Sequence, residues 1–344
     1  MVNSSTFRRT SFLLLLSLFL SNSGNALPLP WSQPTPNPAL WGFFGHKRIN
    51  RVAIFTLPPE LFGFFKENIE FITEHAIDPD KRRYGVDGEA QRHYIDIDHY
   101  AIGGQNPFDS VPRRWEDAVA KFTEDTLQAY GIVPWHILVM KYRLQKAFES
   151  KNIDLILKNA AEIGHYIGDA HVPLHTTENY NGQLTGQRGI HGLWESRIVE
   201  LDAETYDYFV GKGKYIEKVL DFAWEAVQAS HAAVDSVLKI EKELTAEFPS
   251  DQKYTYETRG NTVIQTYSRA FCDEYQRRMN GMVERRMRQA IIGVGSIWYT
   301  AWVDAGQPDL SKLTHHPPSA ELLKELEELE NLYQHTGPKG TICD

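Results

Sequence analysis

Apolar and polar residues alternate along this chain mostly at helical spacing. Ile153, Ile156, Leu157, Ala160, Ile163 and Ile167 recur every three or four positions. That period predicts a helix with one buried face over 153–168. From His46 onward, Ile49, Val52, Ala53 and Leu57 form a similar stripe, which Pro58 and Pro59 end. The same pattern predicts helices over 59–72, 115–130, 134–150, 190–201 and 320–333, with two longer ones over 214–242 and 262–292. Gly293 and Gly295 are expected to interrupt the last of these before a short helix at 296–303. The run His93-Tyr-Ile-Asp96-Ile-Asp98-His99-Tyr alternates instead. With no partner strand in sight, it reads as an extended or short helical piece. No internal repeat recurs at a fixed period. The expected fold is all-α, a single helical domain with long loops.

Two histidine–carboxylate pairs sit in this helical pattern. His165 and Asp169 stand at i and i+4, and so do His191 and Glu195. Each pair therefore projects from one helix face, one turn apart. Pro173 ends the first helix, and His175 leaves on the following turn. Imidazole and carboxylate at this spacing suit zinc, and a mixed nitrogen and oxygen set with room for water suits catalytic zinc. The rival reading is polar residues that share a helix face by chance; two pairs with His175 beside them weigh against it. His46 is either a core histidine or a ligand, and His93 lies beside Asp96 and Asp98. His75, His99, His136, His171 and His231 read as structural. Phe43, Phe44, Phe55, Phe62, Phe64 and Phe65 read as core.

The start of the chain reads as an address. Arg8 and Arg9 lead an apolar run over 12–20 that is too short to span a bilayer, and Ser23-Gly-Asn-Ala26 offers a cleavage site. Residues 1–26 are thus expected to be a signal peptide, with Ala26 the simplest cleavage point, and 27–40 a proline-rich spacer. The implied location is secreted or periplasmic. No later run is apolar enough for a membrane span, and no protein partner is predicted. Residues 41–310 are long enough for one large domain. Residues 311–344 read as a linker, His315-His316-Pro317-Pro318, and a C-terminal helical tail.

The formal charge is −9, and the first forty residues hold two arginines and no acid. The remainder is therefore more acidic still, which disfavours broad binding to nucleic-acid phosphates or anionic lipid. A phosphate substrate stays open, because bound zinc would be the largest local charge. Cys272 and Cys343 are the only two cysteines. They are too few for a disulfide framework and too far from the histidines to read as ligands.

Taken as a series, the motifs are specific. They are Trp41-Gly-x-x-Gly-His46, Ala76-Ile77-Asp78, His93-Tyr-Ile-Asp96 fifteen positions after Asp78, His165-x3-Asp169-x5-His175 and His191-x3-Glu195. From Trp41 to about residue 200 the chain resembles the superfamily of zinc-dependent phospholipases C and single-strand-specific zinc nucleases. The resemblance implies a zinc-dependent phosphodiesterase domain over 41–310 with three clustered Zn2+ ions. Asp78, His93, His165 and Asp169 would hold the first; His175, His191 and Glu195 the second; His46, Asp169 and Trp41 the third. Trp41 would bind through its α-amine and carbonyl, which requires cleavage after Leu40, because a peptide nitrogen is a poor ligand. Asp78 fits the family's spacing to His93, with Asp80 as the alternative.

The activity implied is hydrolysis of a phosphodiester by metal-activated water, with Asp78 as ligand and base. Lys81, Arg82 or Arg83 would steady the phosphate, Arg82 being the residue named, and Asp96 would contact substrate. Glu195 in place of the nucleases' usual aspartate, the short gap from His175 to His191 and the absence of a four-cysteine pattern favour a phospholipid substrate over a nucleic acid or nucleotide. A non-catalytic zinc-binding protein is the reading from another class.

Overall fold

The structure is a computed structural model. It describes residues 41–259, 262–313 and 317–337, which lie within the compact unit Pro36–Asp344. The expected signal peptide and spacer, His315, His316 and Cys343 lie outside the described residues. The chain runs through α1 (Trp41–Ala53), α2 (Pro59–Glu67), α3 (Ile69–Glu74), α4 (Asp78–Arg82), α5 (Pro107–Ser110), α6 (Trp115–Phe122) and α7 (Glu124–Tyr130). It continues through α8 (Val133–Ser150), α9 (Ile153–Ala170), α10 (Ile198–Asp202) and α11 (Val219–Glu247). A hairpin of β1 (Tyr254–Arg259) and β2 (Thr262–Tyr267) precedes α12 (Arg269–Arg278), α13 (Met282–Asp304) and α14 (Ala320–Thr336). The architecture is mostly helical, as the periodicity predicts, with this one small antiparallel sheet among the described residues. No helix of the described residues is long and apolar enough to cross a membrane.

Helix α9 is the axis of the fold. Nearly every residue from Asn159 to Ala170 is buried, so the helix is enclosed rather than half-exposed. It packs against α8, α13, α1 and α3. The Trp298 indole of α13 donates to the Ala160 carbonyl at 2.9 Å, tying the two helices where Trp298 also meets Phe65. Helix α1 approaches α9 closely at two glycines. A Cβ at Gly164 would lie 1.8 Å from Asn50 Oδ1, and one at Gly168 would lie 2.8 Å from His46 Nδ1. Asn50 fills the gap by donating to the Ala161 carbonyl at 2.8 Å. Four-residue spacing on both helices thus lowers His46 onto the end of α9.

Several expected boundaries moved, each for a local reason. The helix expected over 115–130 is two, because Thr123 takes a positive φ and its hydroxyl accepts from Thr126 N to cap α7. The helix expected from 214 starts at Val219. Before it, Lys214 and Ile216 donate their amides to Ser296 Oγ and Thr300 Oγ1, which holds that stretch open. The helix expected over 262–292 fails at both ends of its first half. Thr262, Val263, Ile264 and Thr266 favour the strand, Ser268 caps α12, and Asn280-Gly281 turns with positive φ. Helix α13 runs unbroken through Gly293 and Gly295, since Gly295 serves close packing on Thr56.

Among the phenylalanines, Phe43, Phe64 and Phe65 are buried, but Phe55 is exposed. The C-terminal helix α14 packs on α4. Tyr333 is buried against Phe43 and Ile77, Glu330 meets Lys81, and Glu325 pairs with Lys158. Cys272 is buried.

Two neutral histidines make the fold sensitive to acid. Burial and the nearby charge of Arg92 push His136 down to about 3, and burial with Arg286 does the same to His171. An unfolded histidine binds its proton near pH 6.5, so this contribution is intact above that pH and lost as pH falls from 6.5 towards 3. One such group costs about 1.4 kcal/mol per pH unit across that window. Urea unfolding of the chelated protein at pH 7 and pH 5 is expected to show a smaller loss in His136→Gln than in the wild type; equal losses would contradict this.

Candidate metal centre

The end of α9 carries the two residues on which the centre turns. His165 and Asp169 are both buried, one turn apart. The Asp169 carboxylate faces two ways. Its Oδ2 lies 3.0 Å from His93 Nδ1 and 3.3 Å from His165 Nε2, while its Oδ1 lies 3.3 Å from His46 Nε2. The His46 ring stacks on that of His165 at 3.8 Å. His93 closes a short 3-10 turn over Ala90–Arg92, and the chain just beyond it is held where Ile95 N donates to His175 O. Val172, which precedes Pro173, is extended, so the chain leaves α9 and brings His175 back on a short 3-10 turn. His191 immediately precedes, and Glu195 lies within, a helical turn wound as a π-helix over Gly192–Arg197. Such turns are frequent at functional sites.

Three groups result: His46, His165 and Asp169; Asp80, His93 and His165; and His175, His191 and Glu195. Ligands bound at about 2.0–2.1 Å around a tetrahedral ion stand about 3.3 Å apart. In the second group the separations are 3.6, 3.5 and 3.0 Å. In the third, Glu195 Oε2 lies 3.1 Å from His175 Nε2 and 2.7 Å from His191 Nε2. Three buried side-chain groups can therefore hold metal ions, and their donors are compatible with zinc.

Tautomers support the fit. The Nδ1–H groups of His165, His175 and His191 have backbone carbonyl acceptors, those of Ala76, His93 and Tyr180 at 2.9, 2.7 and 3.1 Å. Each Nε2 is thereby left with its lone pair turned into the cluster. Asp169 Oδ2 is a buried acceptor with no hydrogen-bond partner among the described residues, as a bridging ligand would be.

Electrostatics agree. Burial opposes a charged His165, yet Asp169 and Asp80 raise it well above the usual range. Burial likewise opposes His175, which Asp169 and Glu195 lift to about 9. Burial would raise Asp169 and Glu195, but facing histidines hold both well below the ordinary carboxylate range. Protons and metals compete for these same lone pairs.

The structure corrects two expected assignments. Asp80, not Asp78, joins His93 and His165. Residues two apart on a helix point about 200° from each other, so α4 can turn only one of the pair inward. Asp78 instead meets His75 Nδ1 at 2.8 Å and Lys81 at 3.3 Å. The same rotation sorts the three cations that follow. Lys81 bridges Asp78 and Glu330, and Arg82 reaches Glu162 at 2.7 Å and Glu89 at 3.2 Å. Arg82 is thus committed to Glu162 and Glu89, whereas Arg83 feels the carboxylates of the cluster. Burial opposes its charge, but Asp80, Tyr84, Asp169 and Glu195 hold Arg83 protonated, and these carboxylates include one from each group.

Asp96 stands at the edge of the site, half-buried. Burial, then Asp98 and Glu178, raise its carboxyl to about 7. Asp98 is committed to Thr177 and the Glu178 amide. Trp41 opens α1 shortly before His46, and its side chain lies outside the described residues. His99 stacks on Tyr130, and His231 donates to the Thr176 carbonyl beside His175. His171 donates to Ile167 O and stays apart from the groups. Sequence reasoning missed Arg83 among its equals, and Glu89 altogether. Glu89 is fully buried in a loop, and no spacing marks it. No family model and no curated protein matches the chain.

Proposed function

We propose that this chain is an exported, zinc-dependent hydrolase of phosphodiesters, phospholipase C-like, within the superfamily that its motifs resemble. The observation that carries the reading is the Asp169 carboxylate, whose two oxygens face two different ligand groups. The third group adjoins it, with His175 Nδ1 3.8 Å from Asp169 Oδ1. Clustered cations of this kind suit in-line displacement at phosphorus. Zinc held there would supply Lewis-acid charge to the phosphate and acidify water to near neutrality.

The protein's own residues do the rest. Asp80, His93 and His165 would hold one ion, His46 and Asp169 with His165 beside them another, and His175, His191 and Glu195 the third. Burial would raise Asp80, but His165, His93 and His46 lower it to about 2. Asp80 is therefore ionised and available both as a ligand and to orient water. Arg83 opposes the charge gathering on the non-bridging oxygens. In the reaction the water oxygen bonds to phosphorus, the opposite P–O ester bond breaks, and the water proton ends on the departing alcohol.

Phospholipid is the favoured substrate. Glu195, the short His175–His191 interval and the scarcity of cysteine support it by resemblance. Tyr94 feels the charges of Asp96 and Arg83 and the neighbouring Tyr180, and carboxylates with aromatic rings suit a cationic head group. A nuclease or nucleotidase is the second reading. It is favoured by Asp96, which near neutral pH has a proton to donate to a base edge.

Zinc-loaded protein assayed on phosphatidylcholine is expected to release phosphocholine, to stop with chelator and to recover with zinc. Cleavage of single-stranded DNA alone would select the second reading. Full zinc occupancy with neither reaction would mean a non-catalytic zinc protein.

A further inference from the structure

His93 is presented the opposite way round from its neighbours. His165, His175 and His191 turn Nε2 into the cluster and donate Nδ1–H to backbone carbonyls. His93 turns Nδ1 inward, 3.0 Å from Asp169 Oδ2 and 3.6 Å from Asp80 Oδ1. Its Nε2 therefore points back into the protein, where it has no hydrogen-bond partner within reach among the described residues. What it faces there is the Glu89 carboxylate, at 3.7 Å.

Glu89 is built into that place. It is fully buried. Its Oε2 accepts from Arg82 Nε at 3.2 Å and from Arg92 Nη1 at 2.8 Å, and its Oε1 accepts from the Tyr166 hydroxyl. Arg82 is fixed in turn by Glu162 on α9. A buried carboxylate behind one imidazole, held by two guanidiniums and a phenol, is costly unless it has a task. Arg82, Arg92 and Tyr166 hold it where it faces a ring nitrogen.

We propose that Glu89 is a positioning residue that keeps the proton of His93 on Nε2, so that Nδ1 presents its lone pair to a metal ion. This rests on His93 being a ligand, as in the function proposed above. A carboxylate behind a ligating imidazole fixes both its tautomer and its ring orientation, and losing it costs about 10–100-fold in metal affinity.

The test is ring-nitrogen NMR on the full-length zinc-loaded protein with labelled histidine, together with chelator competition. In the wild type, His93 is expected to be metallated at Nδ1 and protonated at Nε2, and His165, His175 and His191 to be metallated at Nε2. Glu89→Gln is expected to weaken the Asp80–His93–His165 group by about 10–100-fold and to leave the His175–His191–Glu195 group unchanged, with Glu89→Asp restoring part of the loss. Metallation of His93 at Nε2 would overturn the proposal even if Glu89→Gln fails to fold. So would unchanged affinity in a folded Glu89→Gln. A wild-type protein that takes up no zinc at all would overturn the metal reading itself.

Discussion

Asp169→Asn is expected to empty two metal groups at once. The substitution keeps the shape of the side chain but leaves one acceptor oxygen and no charge. Asp169 Oδ1 faces His46 and Oδ2 faces His93 and His165, so a single amide serves at most one side. Metal content is expected to fall by about two ions per chain, and hydrolysis by more than about a hundredfold, since even the loss of an outer partner costs 10–100-fold. Glu195→Gln is the control, expected to affect only the group of His175 and His191. Metal analysis after gel filtration reads both variants. Retention of all metal in Asp169→Asn would contradict the bridging role.

Arg83→Ala carries the second large effect, and Arg82→Ala is its counterpart. If Arg83 meets the phosphate, its loss is expected to lower kcat by about 10²–10³, the usual cost of one donor at a developing oxyanion. Zinc content and melting temperature should hold. Arg82→Ala is expected to do the reverse. It leaves Glu89 and Glu162, both buried, without their shared guanidinium. Breaking such a pair typically costs about 3–5 kcal/mol. Steady-state kinetics beside urea unfolding separate the two. Equal kinetics for both variants would sink the division of labour between the neighbours.

These neighbours also mark where the sequence stopped being legible. His165, Asp169, His191 and Glu195 declare themselves, because four-residue spacing fixes their common face whatever surrounds them. His175 follows from Pro173, and the enclosed helix α9 follows from its apolar stripe. The 78–92 loop offers no such period. Pro79 and a helix of five residues decide whether Asp78 or Asp80 turns inward, and the same rotation decides among Lys81, Arg82 and Arg83. Spacing in the superfamily that the motifs resemble pointed to Asp78; the phase of α4 turns Asp80 towards His93 and His165.

Long-range context overrode local pattern in the second half of the chain. The strand at 262–267 carries β-branched residues that also fall at passable helical spacing, and only its pairing with 254–259 separates the two. Gly293 and Gly295 look like breakers in sequence. In the fold they are the places where Phe222 and Thr56 come close to α13. The two glycines of α9 act similarly, and Gly168 sets the depth of His46.

In the proposed function, side chains from α1, α4, the stretch at His93, the end of α9 and the turn at His191 enclose clustered zinc. Anomalous diffraction from zinc-loaded crystals, recorded on both sides of the zinc edge, measures this directly. One peak is expected between Asp169 Oδ2, His93 and His165, a second between Asp169 Oδ1 and His46, and a third bounded by His175, His191 and Glu195. A zinc-loaded crystal with no peak in contact with Asp169 would contradict it.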